Sequence, residues 1–100
     1  KEFEAPPQLE GLPYLQVLML NHNQLNGEFP RTHLNARLNR LDLGENLYDF
    51  PPSEFRRNLE LLSDLPDLTN LRLVHNPFIG VFTEYQVFVI KILSRLTMLD

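Results

Sequence analysis

Two imidazoles and a carboxylate, His22, Glu45 and His75, each stand directly before an asparagine, at positions 23, 46 and 76. Two histidines and one carboxylate are a zinc donor set. If the three residues lie on successive parallel strands, however, the histidines are two strand spacings apart, roughly 9–10 Å at the backbone. That is long for a shared ion, and polar residues at a strand exit fit the pattern better, so no metal is expected. A second set, Asp42, Arg72 and Asp100, alternates in sign. Ion pairs laddered across strands would hold register and contribute little each. Arg72 is equally suited to anchor a partner, since arginine is enriched at interface hot spots, and the two roles are compatible. Nucleophilic catalysis has no support: there is no cysteine, Ser53, Ser63 and Ser94 fall on helical stretches or their caps, and no Gly-rich phosphate loop occurs. Carboxylates acting as acid and base need a shielded cleft. The residues therefore point away from an enzyme, a cofactor or a small-molecule substrate.

What positions these residues is an internal repeat. LPYLQVLMLNHNQL (12–25), ARLNRLDLGENLY (36–48) and LPDLTNLRLVHNPF (65–78) share L-x-x-L-x-L-x-x-N or its final part, followed two residues on by a large apolar group. The leucines are Leu15, Leu18, Leu20; Leu38, Leu41, Leu43; and Leu68, Leu71, Leu73. The asparagines are Asn23, Asn46 and Asn76, and the closing groups Leu25, Tyr48 and Phe78. LSRLTMLD (93–100) begins a fourth unit. The periods are 23 and then 30 residues, at and slightly beyond the usual leucine-rich range of about 20–29. In L-x-L the two leucines alternate onto one face of a short strand. Asparagine carries both donors and an acceptor, so it can satisfy backbone where the chain turns off the ladder. One unit cannot bury its own leucines, so stability comes from stacking neighbours.

Between strands the chain returns along the convex side. The first return, 26–35, holds Gly27 and Pro30 and is expected to be irregular. The second, PPSEFRRNLELLSDLP (51–66), predicts a helix with Ser53 as N-cap, Phe55, Leu59 and Leu62 on one face, and Pro66 as its end. That helix accounts for the longer period. Thr83 and Gln86 form a capping box that opens a further helix over roughly 84–94. Tyr85, Phe88, Val89, Ile92 and Leu93 share one side of it, leaving Val87 and Ile90 for a cap or an added apolar contact.

The expected fold is an α/β leucine-rich-repeat solenoid: a curved parallel sheet of about four short strands, an irregular and helical convex side, and a C-terminal capping helix. Its divisions are an incomplete return segment (1–11), three repeats (12–78) and a cap (79–100). The cap reads N-P, then Y-x-x-x-V-I-x-x-L-x-x-L-x-x-L-D, as Asn76-Pro77, Tyr85, Val89, Ile90, Leu93, Leu96, Leu99 and Asp100. This resembles the intracellular leucine-rich-repeat subfamily of type-one phosphatase regulators, which also includes a spliceosomal A-prime protein, a dynein light chain and ciliary proteins. Gln86 stands where that subfamily usually has arginine, and Ser94 where proline is frequent. The resemblance implies a protein-binding module, scaffold or regulatory subunit. It also leaves open a structural subunit of a cytoskeletal or axonemal assembly, and a protein-binding subunit of a ribonucleoprotein particle.

The binding face would be the concave sheet. Its outward columns, about 4.8 Å apart along the sheet, are Val17, Arg40, Asn70, Met98; Met19, Asp42, Arg72, Asp100; Asn21, Gly44, Val74; and His22, Glu45, His75. Such a mixture of charge and apolar groups suits a protein segment. Thirteen acidic and 9 basic residues leave a net charge of −4, which argues against direct nucleic-acid binding, and the basic stretch Arg31, His33, Arg37, Arg40 reads as a solvated edge. No apolar run is long enough to cross a membrane. The absence of cysteine and of Asn-x-Ser/Thr favours an intracellular, cytoplasmic setting, with the cilium, cytoskeleton and nucleus open. A start at Lys1 and an end at Asp100 suggest a piece of a longer protein.

Overall fold

The computed structural model describes residues 12–32, 35–81 and 84–100. Four strands, β1 (Val17–Met19), β2 (Arg40–Asp42), β3 (Asn70–Arg72) and β4 (Met98–Leu99), form one parallel sheet in chain order. The register is Leu18 to Leu41, Leu41 to Leu71 and Leu71 to Leu99. Three helices lie between them: α1 (Pro52–Leu62), α2 (Pro77–Val81) and α3 (Tyr85–Ile92).

Each strand is preceded by the same turn. The amides of Leu15, Leu38, Leu68 and Leu96 donate to the carbonyls three residues back, Leu12, Asn35, Leu65 and Leu93, at 2.9–3.3 Å. In the second unit the turn therefore starts at Asn35, where the other units have a leucine. Asn35 is fully buried, and its Nδ2 donates to the Leu12 carbonyl of the preceding unit at 2.7 Å. An amide replaces the leucine because it can bond the neighbouring coil. His33, Leu34, Thr83 and the segment 1–11, on which several expectations rest, lie outside the described residues.

Burial along each leucine column is deepest in the middle. Leu41 and Leu71 are fully buried, whereas Leu18 and Leu99 on the outer strands are only partly so. Each fully buried leucine contributes roughly 1.5–3 kcal/mol, so the two central units dominate the stabilisation.

The convex side is an aromatic cluster. Phe29, Tyr48, Phe50, Phe55 and Phe78 pack with ring centroids 4.7–6.1 Å apart, and Phe88 of α3 stacks on Phe55 at 5.7 Å. Helix α1 contributes Phe55, Leu59 and Leu62 as its period predicts, and also Asn58. Its Oδ1 accepts from the Phe29 amide at 2.8 Å and its Nδ2 donates to the Glu54 carbonyl, tying the helix to the first return. Ser53 is not the N-cap. Pro52 occupies the first helical position, where its missing N–H costs nothing, and Pro51 precedes it in extended geometry without a side-chain cap. Nor does Pro66 end the helix. Ser63 does so three residues earlier, its amide on the Leu59 and Glu60 carbonyls and its hydroxyl on Glu60 at 2.6 Å.

The cap also differs in detail. Helix α2, opened by Pro77, was not expected. Helix α3 starts after Glu84, whose side chain makes no cap bond, and stops at Ile92, because Leu93 leaves helical geometry to begin the next turn. Tyr85, Val89 and Leu93 are buried and Phe88 and Ile92 partly so, while Val87 and Ile90, off that side, are exposed.

The Tyr48 hydroxyl is buried without a hydrogen-bond partner among the described residues, and burial pushes its pKa up. An unsatisfied buried hydroxyl costs about 1–3 kcal/mol. Tyr48→Phe is therefore expected to stabilise the domain by about 1 kcal/mol, read as a higher urea midpoint at unchanged slope; a lower midpoint would show that the hydroxyl is satisfied in solution.

Candidate functional site

The concave face is built by the residues between and after the inward leucines. The register brings Val17, Arg40, Asn70 and Met98 into one row, and Met19, Asp42 and Arg72 into the next. Val17, Met19 and Met98 are 47%, 48% and 62% exposed, which makes this an apolar surface open to solvent at both lateral strands. Arg40 is exposed and makes no ion pair among the described residues, while Asn21, Asn70 and Val74 are half-buried. A groove of about 330 Å³ runs over β2–β4, bounded by Arg40, Asp42, Arg72, Met98 and Asp100.

Behind that face the asparagines work as a ladder. Asn46 accepts the Leu25 amide at 3.1 Å and donates to the carbonyls of Leu20, Leu43 and Gly44 at 3.0–3.1 Å. Asn76 accepts the Tyr48 amide and donates to Leu43 and Leu73. Asn23, less buried, donates to Leu20 and Asn21. Each central asparagine thus bonds its own coil and the one before it, leaving the strand exits in a fixed relation.

Those exits are strained in a regular way. His22, Glu45 and His75 all have left-handed backbone, with φ of 59°, 50° and 63°, a conformation that costs non-glycine residues roughly 1–2 kcal/mol. The bend throws their side chains back across the strands. Glu45 meets both imidazoles, His22 Nε2 and His75 Nδ1 each at 3.5 Å, but its two oxygens also receive Arg72 Nη1 and Nη2 at 2.8 and 3.1 Å. The Glu45 carboxylate thus gathers both imidazoles and the Arg72 guanidinium, and no group of three or more His, Cys, Asp or Glu among the described residues is arranged to hold a metal.

Arg72 also donates from Nη1 to Asp42 Oδ1 at 3.2 Å. Of the expected sign-alternating ladder the Asp42–Arg72 rung is formed, but Arg72 turns its other bonds to Glu45, and no ion pair joins it to Asp100 among the described residues. Asp42 is likewise not the open contact residue that its column implied. It is 4% exposed, with Oδ1 accepting the Gly44 amide at 2.9 Å in a tight turn and Arg72 lying over it. Gly44 is what admits the arginine, since a Cβ there would stand 2.5 Å from Nη1 and 3.2 Å from Cζ. Sequence reasoning named Gly44 only as a column member; the Asp-x-Gly triplet Asp42–Gly44 is the turn signal that could have shown its role.

The Arg72 hydrogen bond is the main reason the Glu45 carboxyl lies at about 2, below its ordinary 4.5. A depressed carboxyl pKa stabilises the fold above the unfolded value and ceases to do so as the pH falls through the folded one. The difference in denaturation midpoint between the native chain and Glu45→Gln should thus be constant above about pH 5 and shrink from pH 4.5 toward 2. A pH-independent difference would place the contribution of Glu45 elsewhere.

No family model and no curated protein matches the chain, but solved structures do. A chain of the Drosophila melanogaster SNF/U2A′ complex aligns with 89% of this chain at a TM-score of 0.71 and 24% identity. The internalin inlF of Listeria monocytogenes aligns with 92% at a TM-score of 0.61 and 22% identity. The fold is a leucine-rich-repeat solenoid. The chain spans 48% of the first neighbour and 23% of the second. Within the leucine-rich-repeat frame His22, Glu45 and His75 occupy one equivalent position in three coils, and the position of Arg72 is held by Met19 in the first coil and Asp42 in the second. No helix among the described residues is long and apolar enough to cross a membrane.

Proposed function

We propose that this leucine-rich-repeat domain is a non-catalytic protein-binding module that uses its concave strand face. The observation that supports this most is the pairing of exposed Val17, Met19 and Met98 with an Arg72 already held in place by Asp42 and Glu45. Exposed apolar groups beside an ordered arginine are the composition of an interface core, and a pre-set arginine loses little side-chain entropy on binding. The solved SNF/U2A′ neighbour is itself part of a complex, which fits this reading and its variant of a protein-binding subunit in a ribonucleoprotein particle.

The test is capture of partners from cell extract on the immobilised domain, then titration of each purified partner. Arg72→Glu combined with Met19→Asp is expected to weaken binding at least tenfold, about 1.4 kcal/mol. The convex pair Arg57→Glu with Glu60→Lys should leave it unchanged. The reverse pattern would refute the concave face and favour a second reading, a structural subunit of a cytoskeletal or ciliary assembly held by its helices. Exposed Val87 and Ile90 on α3, at 56% and 53%, support that alternative.

A further inference from the structure

The Arg72 guanidinium has a use that its charge alone does not suggest. All N–H groups of a guanidinium lie in its plane. At this residue Nη1 is engaged by Asp42 and Glu45, and Nη2 by Glu45. One flank is closed by Gly44, against which the group lies too tightly for a Cβ. Two carboxylates already compensate the one cation, so a further anion would meet net negative charge. The side chain stays 28% exposed, along a groove of about 330 Å³ lined by Met98 as well as by Arg40 and Asp100. A planar cation held flat and neutralised at its edge attracts an aromatic ring while offering little to an acid.

We infer that Arg72, laid on Gly44 and clamped by Asp42 and Glu45, is a stacking platform for an aromatic side chain of a protein partner. Asp42, Glu45 and Gly44 are its positioning residues. The inference rests on the concave face being the binding surface and specifies what that face selects. It also assigns Gly44 a role in specificity: Gly44→Ala would drive the flexible end of Arg72 off the platform while leaving the backbone intact.

The experiment uses ¹⁵N-labelled domain, including arginine Nε–Hε signals, titrated with N-acetyl-tryptophanamide, N-acetyl-leucinamide and sodium acetate as separate probes. The aromatic probe is expected to move the Arg72 Nε–Hε and Gly44 amide resonances upfield by ring current, saturably, and the other two to leave them in place. Arg72→Lys keeps the charge and removes the plane, and should weaken the aromatic response about 2- to 5-fold. Gly44→Ala should do the same, with the dispersed spectrum of each variant reporting an intact fold. Acetate shifting Arg72 as strongly as the indole would make the site an anion receptor and overturn the inference. So would no response at Arg72 up to the solubility of the probe, or an undiminished response in Arg72→Lys. If the probe test fails while Arg72→Glu with Met19→Asp still abolishes partner capture, the concave-face reading stands and only the platform falls.

Discussion

Asn46→Ala is expected to destabilise the domain by about 2–4 kcal/mol, since it orphans the buried Leu25 amide and removes one of the two side-chain donors to each of the carbonyls of Leu20 and Leu43, which keep Asn23 and Asn76. An orphaned buried amide costs roughly 1–3 kcal/mol, and each further hydrogen bond lost between the two bridged coils adds about 0.5–1.5 kcal/mol. Against a typical total of about 5–15 kcal/mol, this would leave a marginal or partly unfolded chain. Urea denaturation followed by circular dichroism reads it directly, with Asn26→Ala as control, because that side chain is exposed and bonds only the Gln24 carbonyl. A loss below about 1 kcal/mol for Asn46→Ala would mean that the ladder is dispensable.

Phe55→Ala should cost a similar amount by a different route. Its ring is fully buried and contacts Phe50, Phe78 and Phe88, so one truncation opens a cavity between α1, the third repeat and the cap helix. Phenylalanine-to-alanine changes in cores cost about 3–5 kcal/mol, more where the surroundings cannot collapse, and a closed cluster of rings collapses poorly. Thermal unfolding should fall sharply for Phe55→Ala and little for Leu61→Ala on the same helix, which is 45% exposed. Comparable losses from the two would remove the aromatic cluster from its central role.

The legibility of this fold in its sequence follows physical lines. Leucine spacing and the recurring asparagine specify strand, turn and stacking together, because one-face periodicity and an unavoidable backbone turn leave few alternatives. The register, the aligned columns and the buried face of α1 are therefore readable. Helix ends are less so. Ser53 and Pro66 carry ordinary capping signals, yet Pro52 opens the helix two residues earlier than a Ser53 cap would and the Leu62–Leu65 turn closes it sooner. A local cap preference of about 1 kcal/mol yields to the need to start each strand at a fixed turn. Asn35 replacing a leucine was hidden for the same reason: its value lies in a bond to another coil.

The candidate site was legible in its members but not in its connections. His22, Glu45, Arg72 and Asp42 are marked as polar groups on neighbouring strands. The sequence does not show that the coil is left-handed at His22, Glu45 and His75, or that the Glu45 carboxylate meets Arg72 as well as the imidazoles of its own column. Gly44 was only a member of its column, whereas its missing Cβ leaves the seat of the guanidinium.

The uneven burial of the leucine columns also sets the order in which this molecule opens. Amide hydrogens on the outer strands, over partly buried Leu18 and Leu99, should exchange through fraying of single coils. Those of β2 and β3, over fully buried Leu41 and Leu71, should exchange only when the whole domain unfolds. Arg72, Asp42 and Glu45 sit on that slow central unit. A partner bound on the proposed concave face would thus meet Arg72 on the most rigid ground, while Val17, Met19 and Met98 at the lateral strands would retain room to adjust.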